Sequence, residues 1–229
     1  MIIGDGLIAK SFKKKYKNDE NVIIFASGVS NSQENNKSNF ERERKLLVNF
    51  LKKNSQIKFI YFSTILIDYK NNPYYNHKKQ MEDLVKQYSK NYIIFRVPQL
   101  IGDSGNSNNL VNYLVNKIKN KESLEIYTNL KRAVIDVEDL VGFVNYCKDK
   151  TSCETINMGS IERISVVDLS KIIQYFFGVG DGTKINFKES DENDDWTLLR
   201  STIFKDYLLQ QNIKSKGYTE KIINKYIKQ

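Results

Sequence analysis

A chain of 229 residues, 40% of them hydrophobic, suits one domain with a smaller appendage and can bury a sizeable core. With 28% charged residues and only two prolines, it is a globular protein and not a disordered or low-complexity one. The net charge of +9 attracts anions. The lysines are nevertheless spread along the chain among asparagines, with no Arg-rich arm or zinc-finger spacing, so a solvated surface is expected and not a nucleic-acid interface.

In chain order, the first feature is "IIGDGLIAKSF", a short apolar run followed by Gly4-x-Gly6-x-x-Ala9. Glycines there let the backbone turn sharply and approach a pyrophosphate at a helix N-terminus, although glycine pairs also make ordinary turns. Next come "VIIFAS" (Val22 to Ser27), "IKFIYFS" (Ile57 to Ser63), "YIIFRV" (Tyr92 to Val97) and, more weakly, "ETINMG" (Glu154 to Gly159). Each is nearly continuous in apolar character, as strands covered on both faces are. Helical patterns intervene: "ERERKLLVNFLKK", "HKKQMEDLVKQY", "NNLVNYLVNKIK" and "VVDLSKIIQYFF". This alternation predicts an α/β fold with a parallel sheet. The stretch from Phe177 to Asp195 reads as a Gly-rich loop and a solvated acidic segment, and a Lys-rich tail with a helix follows.

A dinucleotide fold usually places an acidic residue at the end of its second strand to hold the adenosine ribose. Asp19 and Glu20 precede the next strand instead. Cys147 and Cys153 fit neither a zinc knuckle nor a redox pair, so reduced thiols and no metal site are expected. "MIIGDGLIAKSF" is too polar for a signal peptide, and no run approaches a membrane span, which predicts a cytoplasmic protein.

Five Tyr-x-x-x-Lys pairs occur, at Tyr74/Lys78, Tyr75/Lys79, Tyr113/Lys117, Tyr127/Lys131 and Tyr146/Lys150. Context separates them. The apolar stripe Met81, Leu84, Val85 and Tyr88, wound backward at about 100° per residue, brings Tyr74, His77 and Lys78 to the buried side. Tyr75, Lys79, Glu82 and Lys86 are expected to face outward. A phenol beside an ammonium has its pKa lowered, which suits it to give a carbonyl oxygen its proton as hydride arrives. Thr64, at a strand's C-terminal end, offers a hydroxyl to orient that oxygen, and Ser63 can share the task. His77 reads as a packed side chain, with auxiliary acid as the sharper alternative.

Taken together, the glycine loop, "FASG", "YFST", Pro-Tyr-x-x-x-Lys-x-x-x-Glu, "FRVPQLIG" and "RAVIDVEDL" resemble, in order, the extended short-chain dehydrogenase/reductases. This is the NAD-dependent epimerase/dehydratase group that modifies nucleotide sugars, and the chain is similar to its dTDP-4-dehydrorhamnose reductase-like branch. It implies a Rossmann-like doubly wound parallel sheet that lacks the usual second and third strands. A single NAD(P)-binding domain over 1–229 would carry a small C-terminal substrate-binding portion, formed mainly by about 100–135 and 160–229. By the same resemblance Thr64, Tyr74 and Lys78 are catalytic. Gly4, Gly6, Leu7, Ile8, Ala26, Ser27, Gly28, Lys78 and Val97 would contact NADP or NAD, and Ser63, Pro98 and Arg132 the substrate. The Arg132 guanidinium would bind its diphosphate. The implied activity is reduction of a nucleotide-activated keto sugar, in surface polysaccharide precursor synthesis. The alternatives are an epimerase of the same fold and a silent nucleotide-binding or scaffold protein. A nucleotide sugar is the expected partner, and a homodimer is compatible with the sequence.

Overall fold

The computed structural model describes residues 1–103, 110–178, 184–191 and 200–227. The elements are β1 (Ile2–Ile3), α1 (Leu7–Tyr16), β2 (Val22–Phe25), α2 (Lys37–Lys53), β3 (Lys58–Thr64), α3 (Pro73–Tyr88), β4 (Tyr92–Val97), β5 (Gln99–Ile101) and α4 (Leu110–Lys119). They continue with β6 (Leu124–Tyr127), β7 (Lys131–Asp136), α5 (Val137–Cys147), β8 (Glu154–Asn157), β9 (Arg163–Ser165), α6 (Val166–Phe177), β10 (Ile185–Lys188), α7 (Thr202–Gln210) and α8 (Tyr218–Tyr226). The chain forms two compact units. The first comprises Met1–Pro98, Val137–Gly159 and Leu199–Tyr207; the second comprises Gln99–Asp136, Ser160–Leu198 and Leu208–Gln229.

The first unit is built on a parallel sheet of order β1-β2-β3-β4-β8. Both faces of its central strands are covered, which is why β2 is buried at all four positions and β3 reads as an unbroken apolar run. Side-chain alternation assigns the faces. Phe25, Phe59, Tyr61 and Ile94 pack with Leu47 and Leu51 of α2 and with Met81 and Val85 of α3. Phe62 and Phe95, on the other face, stack on each other. Phe62 meets Phe12 of α1, and Phe95 meets Phe143 of α5.

This arrangement has an unusual consequence. The path β1→β2→β3 steps in one direction across the sheet, with α1 crossing on one face and α2 on the other. The two crossovers therefore have opposite hands, although about 98% of such connections are right-handed. A doubly wound sheet that loses its second and third strands acquires this geometry, because α1 keeps its face while the direction of travel reverses. Among the described residues the sheet ends at β1. The expectation of a Rossmann-like sheet without those two strands is met.

In the second unit β5 pairs parallel with β7, β9 runs antiparallel to β7, and β6 pairs parallel with β10. The Asp136 carboxylate accepts bonds from Tyr226 Oη (2.6 Å) and Lys225 Nζ (2.7 Å), which ties α8 to β7. β10 corrects the reading of 177–195 as a loop and a solvated segment. Its Ile185–Lys188 ladder with Leu124–Tyr127 supplies the pairing that four largely exposed residues do not advertise. Residues 179–183 and 192–195 of that stretch lie outside the described residues.

Candidate active site

The parallel register brings the C-terminal ends of four strands to one edge. Ile3 pairs with Phe25, so Gly4 follows β1 where Ala26 follows β2. Gly4 has φ +119°, and a Cβ there would lie 2.4 Å from the Ala26 carbonyl oxygen, so this position demands glycine. Gly6 caps α1 without a side chain, and a Cβ on it would meet open space. Leu7 and Ile8 form the half-buried first turn. Farther along the edge, Thr64 pairs with Val97, and Pro98 follows. Thr64 Oγ1 accepts the Leu66 N–H at 3.3 Å, which leaves its own proton to donate. Ser63 Oγ is buried, with no hydrogen-bond partner among the described residues.

α3 begins where Pro73 occupies its first turn and the Asn72 side chain accepts the Tyr75 N–H at 3.0 Å. One turn on, Lys78 is 3% exposed. Its Nζ lies 3.1 Å from Glu43 Oε1 of α2, 3.2 Å from Tyr61 Oη of β3, and 5.9 Å from the centre of the Tyr74 ring. Glu43 is fully buried and accepts three further bonds. These come from the Val29 N–H (2.6 Å), Tyr61 Oη (2.7 Å) and His77 Nε2 (3.0 Å). An ionised carboxylate only accepts, so Nε2 carries the His77 proton. Burial opposes ionisation of Glu43, but Lys78, His77, the Val29 N–H and Tyr61 outweigh it and bring its pKa down to about 2. His77 is thus a hydrogen-bonded side chain, stacked on Phe40.

Two expectations about the tyrosines change. Tyr74 is buried as expected, but so is Tyr75, at 5% exposure, and the two rings meet edge to face. Both join Val29, Phe40 and Leu66, so the first turn of α3 is covered over a wider arc than the sheet face alone. Glu82 is also buried, because Arg96 reaches it from β4 with Nε at 2.9 Å and Nη2 at 2.8 Å. Lys79 and Lys86 face solvent. The Tyr74 phenol is pushed up from its ordinary value, by burial first and then by Tyr75 and Glu43. The expected lowering is therefore reversed: burial outweighs the nearby ammonium, and the Glu43 charge that pairs with Lys78 adds to the raise.

Gly28 acquires a specific role. A Cβ there would lie 2.6 Å from Lys78 Nζ and 2.9 Å from Glu43 Oε1, so the glycine makes room for the pair. Ser27 is held by Arg42, whose Nη1 donates to its Oγ (3.1 Å) and Nη2 to its carbonyl oxygen (3.0 Å). Arg132 sits on β7 of the second unit, opposite Ile164, and its Nη1 donates to the Lys131 carbonyl oxygen at 3.0 Å. Sequence reasoning missed Glu43 and Tyr61. The signal for Glu43 was a carboxylate on an apolar stripe, since Glu43, Leu47 and Leu51 recur every four residues.

Among the described residues no helix is long and apolar enough to cross a membrane, and no group of three His, Cys, Asp or Glu is placed to hold a metal ion. Solved structures share the fold at low identity. A dTDP-4-dehydrorhamnose reductase of Clostridium acetobutylicum matches with TM-score 0.72 at 17% identity, over 98% of this chain and 96% of that one. A dTDP-glucose 4,6-dehydratase of Bacillus anthracis, solved with NAD, matches with TM-score 0.68 at 15% identity, over 96% and 76%. A UDP-N-acetylglucosamine 4-epimerase of Bacillus cereus matches with TM-score 0.65 at 17% identity, over 93% and 96%. No curated protein sequence matches. The model of the NAD dependent epimerase/dehydratase family matches residues 8–159, a span that begins at the second residue of α1 and holds Glu43, Thr64, Tyr74 and Lys78, and the chain belongs to that family.

Proposed function

We propose that the chain is an NAD(P)-dependent enzyme that moves hydride at a carbon of a nucleotide-activated sugar, with Tyr74 as the proton carrier. The observation that carries this reading is the placement of Tyr74 and Lys78 one helical turn apart on the buried face of α3, in the unit whose strand ends hold Gly4, Ala26, Thr64 and Val97. The strand-end residues fit a dinucleotide. The Gly4 turn rides against Ala26, and α1 opens without a side-chain cap. When bound, NAD(P) supplies or accepts the hydride. Thr64 donates its hydroxyl proton to the sugar oxygen, the unpartnered Ser63 Oγ offers a second contact, and Tyr74 gives or takes the proton at that oxygen. Arg132 is assigned to the diphosphate.

The family description favours epimerisation, in which hydride leaves and returns and the cofactor is unchanged overall. Net reduction of a keto sugar, a step in surface polysaccharide precursor synthesis, is the second reading. It is favoured by the edge position of β1, beyond which no further strand lies among the described residues to sit beneath an adenine, an arrangement that suits a cofactor that dissociates after each turnover. Incubation with UDP- and dTDP-sugars, read by absorbance at the reduced-nicotinamide band and by product NMR, separates the two. An epimerised sugar without net absorbance change supports the first, and stoichiometric oxidation of NAD(P)H the second. Neither product from any sugar would defeat the proposal.

A further inference from the structure

We infer that Glu43 is a positioning residue for the proposed hydride transfer, its buried carboxylate fixing the Lys78 ammonium beneath Gly28 and beside the Tyr74 ring. This inference rests on the reading above. Three elements build the clamp: α2 supplies Glu43, β3 supplies Tyr61, and α3 supplies His77 and Lys78, with the Val29 N–H closing the carboxylate's shell. The ammonium has three donors. Glu43 Oε1 and Tyr61 Oη take two, which leaves one to aim outward. A lysine has four rotatable side-chain bonds, and the clamp removes that freedom before any cofactor or substrate arrives. Gly28 completes the device, since any Cβ would crowd Nζ and Oε1 together, at 2.6 and 2.9 Å.

The same carboxylate acts on Tyr74. The groups that face Glu43 are Tyr61 from β3, His77, Lys78 and Tyr74 from α3, and the Val29 N–H; Tyr75 faces Tyr74 from its own helix. Glu43 helps to hold the Tyr74 phenol above its ordinary range. Removing its charge while keeping its shape leaves the ammonium uncompensated, and the phenol becomes more acidic.

The test uses the full chain and the Glu43→Gln variant. A buried, ion-paired ammonium exchanges slowly with water, so wild type should show a ¹⁵N ammonium resonance that Lys78→Met identifies. In Glu43→Gln that resonance should vanish. The kcat should fall about a hundredfold, the loss expected of a misplaced reacting group, while KM and NAD(P)H affinity hold within about threefold. The pH limb that tracks Tyr74 should move to lower pH, which a merely structural role would not produce. If Glu43→Gln does not fold, Tyr61→Phe removes one anchor and should broaden the resonance and lower kcat in the same sense. A Lys78 resonance that persists unchanged in both variants, or an unmoved pH limb, would overturn the inference. If wild type binds neither NADH nor NADPH, the proposed function falls, and the Lys78 resonance still decides whether Glu43 holds the lysine.

Discussion

Lys78 Nζ and Glu43 Oε1 stand 3.1 Å apart, with the two side chains 4% and 0% exposed. A pair so buried recovers its desolvation cost only through good geometry and complete hydrogen bonding, and here every Glu43 bond runs to a donor of the first unit. Removing one partner leaves an uncompensated charge. Glu43→Ala should therefore lower the unfolding free energy by about 3–5 kcal/mol, read from urea denaturation. A loss below about 1 kcal/mol would mean that the cluster contributes nothing net.

Stability should also fall in acid. The Glu43 carboxyl lies at about 2 in the folded chain against an ordinary 4.5. A depressed folded value stabilises the protein above the unfolded value, and that stability is lost as pH falls through the folded one. The urea midpoint of wild type should therefore decline between about pH 4.5 and pH 2. Glu43→Gln, with no proton to gain, should start lower and decline less over the same range.

Gly28→Ala tests the space beside the pair. The new methyl would approach Nζ to 2.6 Å and Oε1 to 2.9 Å, and neither group has an exposed path of retreat. Forced overpacking of this kind costs about 1–3 kcal/mol. Denaturation should show that loss, and Gly6→Ala, whose methyl would meet open space, should not.

The two neighbouring tyrosines should separate by function, although both are buried. Tyr74→Phe removes the proposed proton carrier and should cost about 10²–10⁴-fold in kcat. Tyr75→Phe should keep turnover within a few fold and lose about 1 kcal/mol of stability at most, the usual worth of one hydroxyl. Equal loss of turnover in both would refute the assignment.

The sheet was largely legible because β2, β3 and β4 are covered on both faces and read as β-branched and aromatic runs. Helical phase found Tyr74, His77 and Lys78 on the buried side for the same reason: Met81 and Val85 anchor one face of α3 to the sheet. It failed at Tyr75 and Glu82, whose burial comes from non-local partners, Phe40 and Leu66 around the first and Arg96 beside the second. Such partners leave no periodic trace along one helix. Glu43 was overlooked because an acidic residue amid "ERERK" reads as solvated. Only the spacing to Leu47 and Leu51 marks it as inward. The phenol's shift has the opposite sign to the one expected because burial, its largest cause, disfavours the phenolate, and Tyr75 and Glu43 add to it. β10 gains its structure from pairing with β6, not from its own apolar pattern.

The central claim, an NAD(P)-dependent enzyme built on a sheet that ends at β1, is tested most directly by titrating the purified chain with NADH and with NADPH. The readouts are protein fluorescence and energy transfer to the reduced nicotinamide. Saturable binding of at least one cofactor is predicted, with a midpoint in or below the range of about 1 μM to 1 mM typical of enzyme ligands. The absence of any saturable change with either cofactor would contradict it.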